Sequence, residues 1–208
     1  MIPVDALLLF FAASVALAIA PGPDNIFVLT QSAINGKKSG FIITLGLCTG
    51  LLFHISAVAL GVAAIFKTST LAFTILKTVG AAYLLYLAWQ AFRAGATDIS
   101  NAANQKQGGW ALYSRGVLMN ITNPKVAIFF LSFLPQFADP ARGSIPLQII
   151  MLGIVFIIAA LIVFSCIAWA ASYISHWLNS SKRGQLVINR VAGVVFIGLA
   201  CRLALSKQ

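Results

Sequence analysis

Apolar residues in this chain run in long unbroken stretches rather than alternating with polar ones. Six stretches stand out, at 4–34, 40–66, 70–92, 111–134, 146–172 and 186–205; the first and fourth are interrupted inside. A helix crossing a bilayer needs about 20 mostly apolar residues, whereas barrel strands alternate over about ten. The pattern therefore predicts an all-α polytopic protein with six transmembrane helices, the first and fourth broken. Most connections are short. The exception, 94–109, is polar, contains glycine and has a single large apolar side chain, Ile99. It predicts a cytoplasmic loop inside one transmembrane domain, 1–208, dividing it into repeats 1–93 and 110–208.

Composition narrows the picture further. Hydrophobic residues make up 60% of the 208 positions and charged residues 9%, against about 25% charged in soluble domains. That excludes a soluble enzyme, a disulfide-stapled module, a disordered chain and any large extramembrane domain. Ala18-Ile19-Ala20 resembles a signal-peptidase box, but no Lys or Arg precedes it. Without a basic leader the segment reads as the first membrane helix.

The net charge is +10, from 14 basic and 4 acidic residues. The basic residues lie in short clusters between apolar runs, which fits orientation and anionic lipid contact, not nucleic acid. Lys37, Lys38, Arg93, Lys106, Arg115, Lys182, Arg183 and Arg190 flank one side, and Lys67, Lys77, Arg142, Arg202 and Lys207 the other. The richer side is expected in the cytoplasm, with both termini outside. Cys48, Cys166 and Cys201 sit in apolar runs at no metal-binding spacing and read as small buried side chains. No Glu, CxxC, HExxH or GxSxG occurs, so no enzyme, metal or cofactor is expected.

Three spans per half force the halves to insert upside down relative to each other. A short trace of such an inverted repeat survives: Lys77-x-x-Gly80-x-x-Tyr83-Leu84 against Arg190-x-x-Gly193-x-x-Phe196-Ile197. The paired interruptions carry more weight, because each opens its half.

The first interruption is Pro21-Gly22-Pro23-Asp24-Asn25. Two prolines remove two backbone donors and clash with the preceding turn. Asp24 or Asn25 is expected to cap a second piece, Ile26 to Ile34. The other interruption runs Asn120-Ile121-Thr122-Asn123-Pro124-Lys125. Asn123, pushed from helical geometry by the following proline, should cap a helix whose first residue is Pro124, continuing from Val126 to Leu134. Opened backbone within hydrocarbon is tolerated where protein buries it or it lines a wet cavity, and paired broken segments point to a transporter's central site. The partial positive charges of two half-helix N-termini, with Lys125, suit a carboxylate. Asp24 suits an ammonium group or a coupling proton. Together they sketch a site for a zwitterionic α-amino acid. The alternative is a pair of structural kinks, with Asp24 and Lys125 simply pairing.

The chain resembles the LysE/RhtB translocator family, the lysine and homoserine/threonine exporters. Ala20-Pro21-Gly22-Pro23-Asp24-Asn25, Gly46 and Gly50, and Gly80-Ala81-Ala82-Tyr83-Leu84-Leu85-Tyr86-Leu87 carry the resemblance. So do Gly116, Asn120, Asn123-Pro124-Lys125, Phe129-Phe130 and Leu134-Pro135-Gln136-Phe137. Order, spacing and length agree over the whole chain. The resemblance implies a bacterial inner-membrane exporter of amino acids or their analogues, driven by protons.

Other positions have two readings each. His54, near the middle of the second segment, is either a proton relay to Asp24 or a neutral packing residue. Gly46-Leu47-Cys48-Thr49-Gly50 is a GxxxG pattern, serving close packing inside the monomer or a homodimer seam. Gln31, Asn120 and Gln136 either line the cavity or cap and bridge helices. Trp89, Trp110, Trp169 and Trp177 read as interface anchors. The mechanism expected is alternating access of two inverted three-helix units. A passive facilitator and a non-transporting membrane subunit are the competing classes.

Overall fold

The computed structural model describes residues 2–68, 70–93, 108–171 and 182–205. Nearly all of the polar connection 94–109 lies outside them, as do Trp177, Lys207 and the surroundings of Lys77 and Gly80. The described residues form eight α-helices and no strand. They are α1 (Val4–Ile19), α2 (Pro23–Asn35), α3 (Lys37–Thr68), α4 (Thr70–Arg93), α5 (Gly109–Ile121), α6 (Pro124–Ile128), α7 (Ile145–Trp169) and α8 (Lys182–Leu205).

These helices fill all six predicted stretches. Two of them, Lys37–Gly61 within α3 and Ile145–Trp169, are long and apolar enough to cross a membrane alone. Two bent pairs bring the number of candidate spans to four: α1 with α2, bent by 61°, and Gly109–Ile121 with Pro124–Phe137, bent by 47°. Both bends fall where proline interrupts the apolar run. On α7 the outward face carries Leu147, Ile150, Ile154, Ile158 and Ile162 at one-turn spacing, all exposed. An apolar exterior of that length suits lipid, because soluble monomers rarely leave contiguous apolar patches so large.

Helix α6 ends sooner than its sequence predicts. After Ile128 the backbone widens into a π turn, Phe129–Phe133, then tightens into a 3₁₀ turn, Leu134–Phe137. Pro135 supplies the reason: it has no N–H to offer Leu131, and its ring would strike that carbonyl in a regular helix. The wide turn presents Phe129, Phe130 and Phe133 inward, all at most 1% exposed. Phe10 of α1 lies against this group, 6.1 Å from Phe129 and 5.2 Å edge-on to Phe137.

Packing crosses between the halves. Helix α3 lies chiefly against α5 and α7, α4 against α8, and α1 against α7. The α3–α5 crossing is built from glycine. A Cβ on Gly46 would collide with the Tyr113 carbonyl, and one on Gly116 would sit 2.7 Å from the Ile43 oxygen. The GxxxG motif is thus occupied within one chain. Above it Tyr113 donates to Thr49 Oγ1 at 3.0 Å. The expectation for cysteine holds only for Cys48. Cys166 and Cys201 are exposed, since they fall on helix faces turned away from the bundle, where an apolar exterior accepts a thiol as readily as an interior does.

Candidate functional site

The first break opens the carbonyl end of α1, and its last carbonyls lack helical partners. Ala20 N–H closes on Ala16 at 2.9 Å. Lys125 Nζ then donates to Leu17 O at 3.2 Å and to Ala20 O at 2.9 Å. Asn25 Nδ2 donates to Ala18 O at 2.6 Å, with a longer contact of 3.5 Å to Ile19 O. Every freed carbonyl therefore meets a donor, and the negative end of the helix dipole faces the Lys125 cation. Gly22 belongs to the same arrangement: a Cβ there would stand 3.0 Å from Lys125 Nζ.

Two expectations are corrected here. Neither Asp24 nor Asn25 caps the second piece; α2 already begins at Pro23, with Gly22 as an N-cap that makes no side-chain bond. Proline's fixed φ suits a first helical position, so the helix starts before Asp24 is reached. Asn25 is turned back to serve α1. Lys125 likewise forms no ion pair with Asp24, since its ammonium is held by α1.

The second break follows the sequence more closely. Asn123 caps α6, its Oδ1 accepting from Lys125 N at 3.0 Å, and Pro124 occupies the first turn. Thr122 Oγ1 donates to Leu118 O at 2.8 Å. His54 Nε2 lies 3.1 Å from Asn120 O. A carbonyl only accepts, so that nitrogen carries the proton. His54, 6% exposed, rests between the rings of Phe53 and Phe130.

The two breaks meet around Asp24. Its side chain is 2% exposed; the side-chain amides of Asn123 and Asn120 lie within reach of its carboxylate, and Lys125 and His54 act on it by charge. Several buried polar atoms here have no partner: Asp24 Oδ1, Asn25 Oδ1, Asn120 Oδ1 and Asn123 Nδ2, with Thr30 Oγ1 farther along α2. Such atoms are rare in folded proteins and call for an explanation. Gln31 is not brought to this cluster by any bond; its Oε1 accepts from Asn35 Nδ2 at 2.9 Å. Gln136 donates to Ser132 O at 3.4 Å. Pro21 and Pro124 are exposed at the two breaks.

On the other side of Lys125 lies a cavity of about 380 Å³, bounded by Ala20, Pro21, Lys125, Arg93, Asn189 and Phe196 among others. It occupies the seam between the broken α1–α2 segment and the α4–α8 pair. Arg93, Asn189 and Phe196 were invisible as site residues in the sequence, because nothing local marks them; only the pairing of α4 with α8 brings them to Lys125.

The sequence model of LysE type translocators matches residues 15–207. A homoserine/homoserine lactone efflux protein of Salmonella typhimurium is 34% identical over 96% of both chains. A leucine efflux protein of Salmonella choleraesuis is 29% identical over 94% of this chain and 92% of its own. A Vibrio cholerae protein described as an uncharacterized membrane protein is 32% identical over 96% of this chain and 97% of its own. No solved structure matches. With a family match over nearly the whole length and relatives a third identical end to end, the chain belongs to the LysE type translocator family.

Proposed function

We propose that this chain is a secondary active exporter of amino acids or their analogues, working from the cytoplasm by proton-coupled alternating access. The observation that carries the reading is the cluster of unpartnered buried polar atoms where the two broken helices meet. Asp24 Oδ1 and Asn120 Oδ1 are acceptors suited to an ammonium group, and Asn123 Nδ2 is a donor suited to a carboxylate. The efflux names of the relatives support amino acids and homoserine lactone as the substrate class.

In this reading all six predicted segments span a bacterial inner membrane, in contact with its lipids and with both termini outside, and 1–208 is one domain of two inverted repeats. The pairing of α3 with α7 and of α4 with α8 supports that symmetry, because these four helices meet their counterparts from the other half. Asp24 carries the coupling proton when the site is empty and yields it to the arriving ammonium. The substrate carboxylate competes with Leu17 O and Ala20 O for the Lys125 ammonium, loosening the end of α1 so that the break can move. His54 positions Asn120, Pro21, Gly22 and Pro23 form one hinge, Asn123 and Pro124 the other, and Gln31 and Asn25 steady α2 and α1.

The test is efflux from proteoliposomes preloaded with leucine or homoserine under an imposed pH gradient. Wild-type flux accelerates with the gradient, and Asp24→Asn loses that acceleration at least about tenfold. Wild-type flux indifferent to the gradient supports a passive facilitator instead, and Asp24→Asn with intact coupling removes the acid from the mechanism.

A further inference from the structure

The cavity beside Lys125 has a chemistry of its own. Among the described residues two cations border it, Arg93 and Lys125, and no acidic residue does. The rest of its wall is largely apolar, with Gln90 and buried Asn189 as neutral polar groups. Its volume falls within the roughly 300–1,000 Å³ typical of small-molecule sites. Two of the three Lys125 ammonium donors are engaged by Leu17 and Ala20, which leaves one. Arg93 is held differently. Its guanidinium lies 4.6 Å over the Trp89 ring, and it makes no ion pair among the described residues. That contact steadies the guanidinium over the ring, and a guanidinium's planar N–H fork can grip a carboxylate with two parallel bonds.

Arg93 closes α4, at the side that the basic residues assign to the cytoplasm. Asn189 faces it from α8, beside Arg190 of the same basic set. An exporter loads from that side. We infer that this cavity is the cytoplasmic vestibule for the substrate and that Arg93 reads the α-carboxylate there before Lys125 receives it. The inference rests on the export reading and adds to it a specificity residue outside the two breaks. Cargo with a free carboxylate and a side chain that fits the wall formed by Pro21, Ala91 and Phe196 is thereby bound more tightly than a lactone or amide, which lacks the carboxylate.

The test compares leucine with leucinamide, which keeps the amino group but lacks the carboxylate, in reconstituted efflux. Arg93→Gln raises KM for leucine about tenfold, leaves kcat near wild type, and leaves the inhibition constant of competing leucinamide unchanged. Arg93→Lys falls between, as a point charge without the fork. A KM within twofold of wild type, or parallel losses for leucine and leucinamide, overturns the assignment. Wild-type protein that exports no amino acid overturns the export reading instead. The vestibule is then tested alone by tryptophan emission on adding leucine to the purified chain. A change that disappears in Trp89→Phe and in Arg93→Gln supports it, and no change overturns it.

Discussion

Lys125 Nζ and the carbonyl oxygen of Ala20 meet at 2.9 Å across 105 residues of sequence. The bond ties the start of one broken helix to the end of the other, so a single side chain makes the second break hold the first together. Lys125→Met leaves two buried carbonyls without donors. Unmet groups cost about 1–3 kcal/mol each, and removing a buried charge offsets part of that. A net loss of about 1–3 kcal/mol is expected, read as a lower unfolding midpoint in detergent. Asn25→Ala, which strips the donor from Ala18, should lose about 1 kcal/mol.

His54 does for the second break what Lys125 does for the first. His54→Leu removes one of the two donors to Asn120 O, the other being the Asn123 N–H at 3.0 Å, and should lower stability by about 0.5–1.5 kcal/mol, whereas His54→Gln, which keeps an N–H, recovers part of it. If His54 positions the break, His54→Gln also retains efflux driven by the pH gradient. A His54→Gln protein as stable as wild type but uncoupled from the gradient would identify His54 as a proton relay.

Glycine at the α3–α5 crossing is required by distance, not by backbone conformation. Gly46→Ala and Gly116→Ala each force apart two helices whose backbones touch, and overpacking of this kind costs about 1–3 kcal/mol. Gly61, on the same helix α3, has nothing within 4 Å of a would-be Cβ. Gly61→Ala is the control, with an unfolding midpoint at or above that of wild type.

Outside the bundle, the turn at Asp139 is set by protonation. The Ala141 N–H bonds to the Asp139 carboxylate at 2.8 Å and Arg142 Nε at 2.9 Å, and these contacts hold the Asp139 pKa below its ordinary value. A carboxyl whose folded pKa is lowered stabilises the folded turn above its unfolded pKa and stops doing so as pH falls through the folded one. Hydrogen exchange at the Ala141 amide, corrected for its intrinsic rate, should show full protection above about pH 4 and progressive loss below. Asp139→Asn should show the weaker protection at every pH.

Helix positions were legible because apolar runs and prolines are local signals. Asn123-Pro124 announces its cap within two residues, and the structure keeps it. Pro23 is as local a signal, and its fixed φ starts α2 one residue before Asp24, so the capping preference of Asp24 and Asn25 finds no use there. The partners of Lys125 were not legible, since nothing near position 125 encodes the carbonyls of Leu17 and Ala20. The widened turn at Phe129–Phe133 follows from Pro135, whose effect reaches backward along the chain. Arg93 and Asn189 share a wall only because α4 and α8 pack together, and spacing along one chain cannot report that.

The crossed packing of the halves bears on how the protein is made. When translation reaches the polar connection, α3 and α4 have been synthesised without the partners that cover their inner faces. The glycine face of α3 and the ring of Phe92 that seats Gly193 must wait in the bilayer for the rest of the chain. A truncated N-terminal fragment would be a bundle missing its counterparts, open to proteolysis or to rescue by a separately expressed C-terminal fragment.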